Sequence, residues 1–408
     1  MSKLIGPFKE VITLASTAQK GALGDDKLDI IQNGGVLIED EKILKTGDFE
    51  SLRSDADTIE EIAGDHILLP GLVDCHTHLV WGGTRARDYT LRMAGESYEK
   101  ILEQGGGIFD SVEKTRAASS ESLHDGLVKR ATRHMNDGVT TIEVKSGYGL
   151  DVENELKVLN VVKNAKADVD ADLIPTCLAA HVCPKEFKDK KEFLTYLEKE
   201  LLPQLLVKGL ANRVDIFVEP SAFPVEIAKE YMSAAKNLGF ELTIHADQFH
   251  TGGSQIAVEL GAKSADHLEA STENEVELLA KSDTVAVALP GASIGLGMQF
   301  TPTRKLLDAG ASVAISTDWN PGSAPMGDLL VQAAILGIYE KLSSAEIFSG
   351  ITFRAAKALG LDDRGKIAAG MKADFIAYPF DDYREILYNQ GKMKPDMVWK
   401  NGKQVKHV

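Results

Sequence analysis

Cysteine is scarce in this chain. Only Cys75, Cys177 and Cys183 occur in 408 residues, and so sparse and odd a set is no disulfide framework, so a reducing cytoplasm is the expected compartment. Long apolar runs are missing as well: none approaches the roughly 18 residues of a membrane span. The opening stretch MSKLIGPFKEVITLAS has no small-residue cleavage site and is interrupted by Gly6 and Pro7, so no secretory leader is expected. Positive charge is in deficit. Lys and Arg number 45 against 61 Asp and Glu, a formal charge of −16. Such a surface repels nucleic acid and anionic lipid, so neither is an expected partner. What remains is an ordinary globular composition, 44% hydrophobic and 26% charged, which excludes disorder, collagen and long coiled coils. The length allows two or three domains of about 150 residues, or one α/β barrel with extensions.

The chain reads as two unequal parts. Residues 1–69 carry short β-like runs, VITLA, GVLIED, KILKTG and HILLPG, separated by turn residues. They predict a small antiparallel unit. Residues 366–408 look similar, and Asn401-Gly402 between two extended runs signals a hairpin. Neither piece can bury much core alone, so both are expected to complete one small sheet. Between them, over residues 70–365, eight apolar runs alternate with helix-like segments: ILLPGLVDCHTHL, VTTIEVKSGYG, DLIPTCLAAHV, RVDIFVEP, ELTIHAD, SADHL, TVAVALPG and SVAISTDWNPG. Alternation of this kind predicts parallel pairing and a (β/α)₈ TIM barrel. A doubly wound sheet is the competing reading. Polar residues crowd the C-terminal ends of nearly every run, which favours the barrel, whose active sites gather at that mouth.

Five of the ten histidines end apolar runs: His76, His78, His181, His245 and His267. Asp318 ends the last run. His124 and His134 fall in a helical segment, His250 in a loop, His407 in the tail, and His66 at the start of a strand. The first four read as solvated or packing residues, and His66 stands at the wrong end of its strand for chemistry. His76 and His78 are two apart, so on a strand both imidazoles face one side and can reach one ion. A later strand-end His and a last-strand carboxylate would complete a nitrogen and oxygen site suited to zinc, iron or another divalent transition metal.

This constellation resembles the metal-dependent amidohydrolase superfamily, in which a strand-one H-x-H, a strand-five His and a strand-eight Asp hold the metal. The flanking stretches PGLVDCHTHLVWGGTRARDY, SYEKILEQGGGIFDSVEKTRAAS, GVTTIEVKSGYGL, LAAHVCPKEF, IHADQ, GAKSADHLE and STDWNPGSAP are similar to its imidazolonepropionase family. The resemblance covers essentially the whole chain, and it implies a small β-sandwich domain built from both chain ends beside the barrel. It implies hydrolysis of 4-imidazolone-5-propanoate to N-formimidoyl-L-glutamate, a small-molecule substrate from histidine degradation. It also implies one metal ion per chain, Zn²⁺ or Fe, held by His76, His78, His245 and Asp318.

Further roles follow from the same resemblance. Asp318 would also take the proton of the attacking water, and His267 would polarise the carbonyl or relay a proton. Arg85, in GGTRARDY, would meet the substrate carboxylate, for which a guanidinium fork is suited, while Arg87 reads as solvated. Tyr148, His181, Asn320, Gly322 and Ser323 match substrate or product contacts, with Tyr98 a weaker candidate. The family carries Glu or Gln three residues after the strand-five His. Here it is Gln248, a hydrogen-bonding group that cannot act as a base. Strand four ends at Glu219 with no Lys to bridge two metals, which favours one metal, and Lys145 is in the wrong strand for that task. The segment PGASIGLGM is small and aliphatic where the family carries aromatics. GGG at 105–107 reads as no phosphate loop, and Cys75, between the ligands, reads as packing. An aminohydrolase of a nucleobase would share the metal set but has no carboxylate for Arg85. A non-catalytic scaffold would typically have lost ligands. A homodimer is the base-rate expectation for the assembly.

Overall fold

A computed structural model describes residues 1–96 and 98–407, with the side chains of Tyr98, Glu99, Leu102 and His407 outside the description. Two eight-stranded sheets organise the chain. The larger is a run of parallel neighbours in sequence order: Leu72–Asp74, Val139–Lys145, Asp172–Ala180, Arg213–Ile216, Glu241–Ala246, Ser264–His267, Val285–Ala288 and Val313–Ile315. These are the first to eighth barrel strands. Nearly every residue in them is buried, as expected when helices cover the outside and side chains fill the inside.

The helices form for local reasons. In Ser120–Asn136, Leu123, Leu127, Ala131, His134 and Met135 are buried at helical spacing, and the Ser119 side chain caps the first turn by accepting from Ser122 N–H. Asp151 caps Val152–Ala165 in the same way. No helix among the described residues is long and apolar enough to cross a membrane.

The barrel closes just beyond the strand ends. Asp318 N–H donates to His76 O at 3.0 Å, and His78 N–H donates to Trp319 O at 2.9 Å. Below them Asp74, fully buried at the end of the first strand, accepts from Thr317 N–H at 3.0 Å, from the Thr317 and Ser316 hydroxyls, and lies 2.6 Å from His134 Nε2.

The smaller sheet joins both chain ends. Ser2–Ile12, Ile30–Glu39 and Lys42–Asp48 pair antiparallel. Phe375–Tyr378 pairs with Ile67–Pro70, then with Met397–Lys400, which turns back into Lys403–His407. The hairpin turn is Asn401-Gly402, both at positive φ, as the dipeptide predicts. Two expectations are corrected. The first part is mixed, not antiparallel, because Thr58–Glu61 and Ile67–Pro70 run parallel to the first strand of the chain. The run ILLPGLVDCHTHL is also two strands: Ile67–Pro70 belongs to the small sheet and Leu72–Asp74 to the barrel. A Cβ on Gly71, between them, would sit 2.3 Å from Thr140 Oγ1, so only glycine lets the chain pass there.

The barrel and small sheet are clasped at the N-terminal end of the third strand. Asp172 receives Arg364 at 2.5 Å, Lys400 at 3.0 Å and Lys372 at 3.2 Å. Burial opposes its charge, but Lys400, Arg364 and Lys372 hold its carboxyl well below the usual range.

Candidate active site

The C-terminal ends of the barrel strands surround a cavity of 740 Å³. His78, Arg85, Tyr148, His181, His245, Gln248, His267, Asp318, Asn320 and Ser323 all line it. His76 lies beneath, fully buried. Gly322 stands beside Arg85: a Cβ there would come 2.2 Å from the Arg85 Nη1. The side chain of Tyr98 lies outside the described residues.

His76 Nε2 is 3.5 Å and His78 Nε2 3.3 Å from Asp318 Oδ1. Donors bound at about 2.0–2.1 Å to one tetrahedral ion lie about 3.3–3.4 Å apart, so these spacings fit a single metal. Potential ligand atoms of His76, His78 and Asp318 all lie within 4.8 Å of one another, as do those of His76, His245 and His267. The histidine rings are in mutual contact, with His76 and His245 centroids 4.5 Å apart. His267 therefore stands closer to the cluster than its expected role beside it requires.

The outer nitrogens explain why the rings point inward. His76 Nδ1 is 2.7 Å from Asp266 Oδ2, and His245 Nδ1 is 2.8 Å from Asp215 Oδ2. A carboxylate holding one imidazole N–H leaves the other nitrogen's lone pair for a metal. His76 Nε2 has no hydrogen-bond partner although it is buried. Burial and the Lys145 charge oppose protonation of His76, but Asp266 and Asp318 raise its pKa to about 9. The surroundings thus favour a positive charge at this point, which a divalent ion supplies. Burial keeps His78 and His245 neutral, the form that ligates. Asp318 is held ionised: burial opposes its charge, but bonds to His76 and His78 put its carboxyl well below the usual range.

Backbone strain marks the same place. His267, Leu268 and Asp318 have φ of +86°, +71° and +52°. Such left-handed residues cost about 1–3 kcal/mol each and persist where surrounding structure imposes them.

The substrate side is built on loops. Arg85 begins the helix Ala86–Met93, and its Nε donates to Asp88 Oδ2 at 2.9 Å. The same oxygen accepts from Gly107 N–H at 2.8 Å, so the glycine run is bonded within the protein. Arg87 is exposed and bonds Gln104. Tyr148 is buried, and burial raises its pKa, keeping it a phenol donor. His181 stacks on His78 with centroids 5.5 Å apart, and burial and His78 push its pKa down to about 3. Glu219 accepts from the backbone N–H of Phe249 at 2.8 Å and His250 at 3.2 Å, fixing the loop that carries Gln248. Leu296 and Met298, from the aliphatic segment after the seventh strand, form one wall. Cys75 packs in the core.

Asn320 is mostly consumed by its own turn. Its amide donates to Asp318 O at 2.6 Å and to Ser323 Oγ at 2.9 Å, while its Oδ1 accepts from Gly322 and Ser323 N–H at 2.7 and 2.8 Å. Ser323 Oγ is also 3.3 Å from Asp318 Oδ2. Four buried residues escape sequence reasoning: Asp88, Asp215 and Asp266, which hold Arg85 and two histidines, and Asp74 at the barrel closure. A signal was present, because VDIF, SADH and LVDC place a carboxylate inside an apolar run, where an unpaired charge is costly.

Residues 67–405 match the amidohydrolase family. Imidazolonepropionase from Bacillus cytotoxicus is 42% identical over 384 residues, covering 92% of this chain and 89% of that protein. The chain belongs to the amidohydrolase family, among its imidazolonepropionases. The Bacillus cereus imidazolonepropionase is 41% identical over 379 residues, with the same coverage. A triazine hydrolase variant superposes with a TM-score of 0.76 at 18% identity, covering 100% of this chain and 95% of its own. A zinc-bound adenosine deaminase from Xanthomonas campestris gives 0.72 at 19%, over 99% and 93%. At those identities the likeness speaks for the barrel fold. The chain is a metal-dependent hydrolase.

Proposed function

We propose that this enzyme hydrolyses 4-imidazolone-5-propanoate to N-formimidoyl-L-glutamate, using one Zn²⁺ or Fe ion held by His76, His78, His245 and Asp318. The observation that carries the substrate is Arg85. A guanidinium braced by Asp88 lines the same cavity as the histidine and aspartate cluster, and the propionate is the group it suits. A neutral nucleobase offers it nothing.

The ring carbonyl faces the cluster while the propionate reaches Arg85 and Tyr148. Bound there, the ion would lower the pKa of a water from about 15.7 toward about 7. Asp318 Oδ2, the oxygen facing Ser323, would accept a proton from the attacking water. The water oxygen joins the carbonyl carbon, and the ring C–N bond breaks. His267, on the cavity wall, polarises the carbonyl and passes a proton to the departing nitrogen. Carbon, nitrogen and charge balance as a new carboxylate and a formimidoyl group. His181, neutral and stacked on His78, offers Nε2 to the substrate while its Nδ1 lies 3.1 Å from Gly147 O. Gln248 and Ser323 supply hydrogen bonds. Gly322 leaves room for the guanidinium, and Asn320 holds the turn that places both.

One metal is favoured by Lys145. Its ammonium lies among Glu143, Asp215 and Asp266, so a cation already serves the carboxylates beneath the cluster. The test is the enzyme's action on 4-imidazolone-5-propanoate before and after chelation. Turnover that is lost on chelation and regained with zinc or iron supports the reading. Turnover of a neutral nucleobase, and none of the imidazolone, overturns it.

A further inference from the structure

Lys145 is the least expected residue beneath the site. It ends the second barrel strand with its side chain fully buried. Its Nζ lies 2.9 Å from Glu143 Oε2, 2.9 Å from Asp215 Oδ2 and 3.6 Å from Asp266 Oδ2. The last two oxygens are the ones that face the outer nitrogens of His245 and His76, at 2.8 and 2.7 Å. One ammonium is therefore shared by two carboxylates, and each carboxylate lies beside the outer nitrogen of a different imidazole of the cluster, hydrogen-bonded in the case of His76.

We infer that Lys145 is a positioning residue for the metal site, acting through Asp215 and Asp266 to aim His245 and His76 at one point. This rests on the metal reading above. The physical reason is charge. Asp215 and Asp266 are fully buried and stand on the fourth and sixth strands, which flank the fifth, the strand of His245. Glu143 adds a third buried carboxylate, and the nearest other cation, Arg213, is 3.9 Å from Glu143 and also bridges Glu241. Without the ammonium, the two aspartates lose their common counter-charge in a medium where an unpaired ion is costly. They would then repel one another, and carboxylates pushed apart no longer hold the two imidazoles in one orientation. Lys145 is suited to the task because its charge is secure: burial opposes it, but Asp215, Glu143 and Asp266 hold the ammonium protonated.

The competing account is that Lys145 only neutralises Glu143. Two variants separate them. Lys145→Met removes the ammonium. Lys145→Met with Glu143→Gln removes one charge of each sign, so the cluster keeps its net charge. Zinc affinity is measured by competition with a chromophoric chelator, alongside thermal unfolding of the metal-free proteins. Both variants should lose roughly 10–100-fold in zinc affinity, the scale seen when a ligand's outer partner is lost. The double variant should recover unfolding temperature without recovering affinity. Glu143→Gln alone should keep wild-type affinity, because Glu143 touches neither histidine. Recovery of affinity in the double variant overturns the proposal, as does a loss in Glu143→Gln matching that of Lys145→Met. If neither Lys145 variant folds, Glu143→Gln decides: wild-type zinc affinity supports the proposal, and a loss of roughly 10–100-fold overturns it. A wild-type chain that binds neither zinc nor iron overturns the metal reading itself. Wild-type binding with unchanged variants overturns the Lys145 role alone.

Discussion

Replacing Arg85 with alanine tests the substrate assignment most directly. Its Nε is taken by Asp88 at 2.9 Å, which leaves the two Nη groups for the propionate. Bonds to a charged group are worth about 1.5–3 kcal/mol, so losing that contact should weaken binding roughly ten- to a hundredfold. The propionate does not react, so the loss should fall chiefly on KM. Gly322→Ala is a gentler form of the same perturbation. Its methyl carbon would lie 2.2 Å from Arg85 Nη1, so the guanidinium must move, and KM should rise with kcat nearly kept. Steady-state loss of imidazolone absorbance measures both constants, and thermal unfolding controls for Asp88, which keeps only the Gly107 N–H. A substrate analogue with an uncharged side chain completes the test, because wild type and Arg85→Ala should then be equal. A large fall in kcat at unchanged KM, or a wild-type advantage that persists on the uncharged analogue, refutes the carboxylate role.

His267→Asn should keep its metal and lose roughly 10²–10⁴-fold in kcat, whereas Gln248→Ala should cost only about 0.5–1.5 kcal/mol, one hydrogen bond. Equal damage from both at full metal content removes the proton-transfer assignment, and metal loss in His267→Asn moves His267 among the ligands. Elemental analysis should find one tightly held ion per chain, and two ions both needed for activity would contradict the single-site reading. Asp74→Ala touches no proposed ligand side chain, yet it breaks a buried network to Ser316, Thr317 and His134. It should lose about 3–5 kcal/mol in denaturant unfolding, and a loss below 1 kcal/mol would show that the closure does not depend on it. Asp172 has a depressed folded pKa, so its contribution is fully present above the unfolded value of about 3.9 and is lost as pH falls below it. The stability gap between wild type and Asp172→Asn should be constant from pH 5 to 7 and shrink below about pH 4, and a gap that ignores pH removes this clasp from the argument.

The barrel and the gathering of histidines and Asp318 at its mouth were legible because parallel strands buried on both faces read as apolar runs, and because polar residues stood at one end of each. His76 and His78 announced themselves by strand periodicity. The break at Gly71 was not legible. Residues 67–74 are uniformly buried, so hydrophobicity does not change where the chain leaves one sheet for the other. The direction of Thr58–Glu61 and Ile67–Pro70 was hidden for a similar reason, since a short strand carries no mark of which neighbour it will join. Asp215 and Asp266 were missed because attention went to strand ends, whereas these lie within strands, and Lys145 was weighed only as a metal bridge and not as their counter-charge. Their partners come from strands 30 to 190 residues away by number, which pattern along one segment cannot pair.

The place where the barrel closes has a consequence for the chain as a polymer. Asp318 and the pair His76 and His78 lie on the two residue stretches that meet there. A single ion touching all three would act as a removable cross-link between positions more than 200 residues apart. Cross-linking so long a loop restricts the open chain far more than the folded one, by about 5–6 kcal/mol in the chain-entropy picture. The cation would then be a clasp on the cylinder as well as a reagent. Its departure should loosen the first and last strands from each other before any other pair, leaving a wall that can part along one line while the rest of the cylinder stays wound.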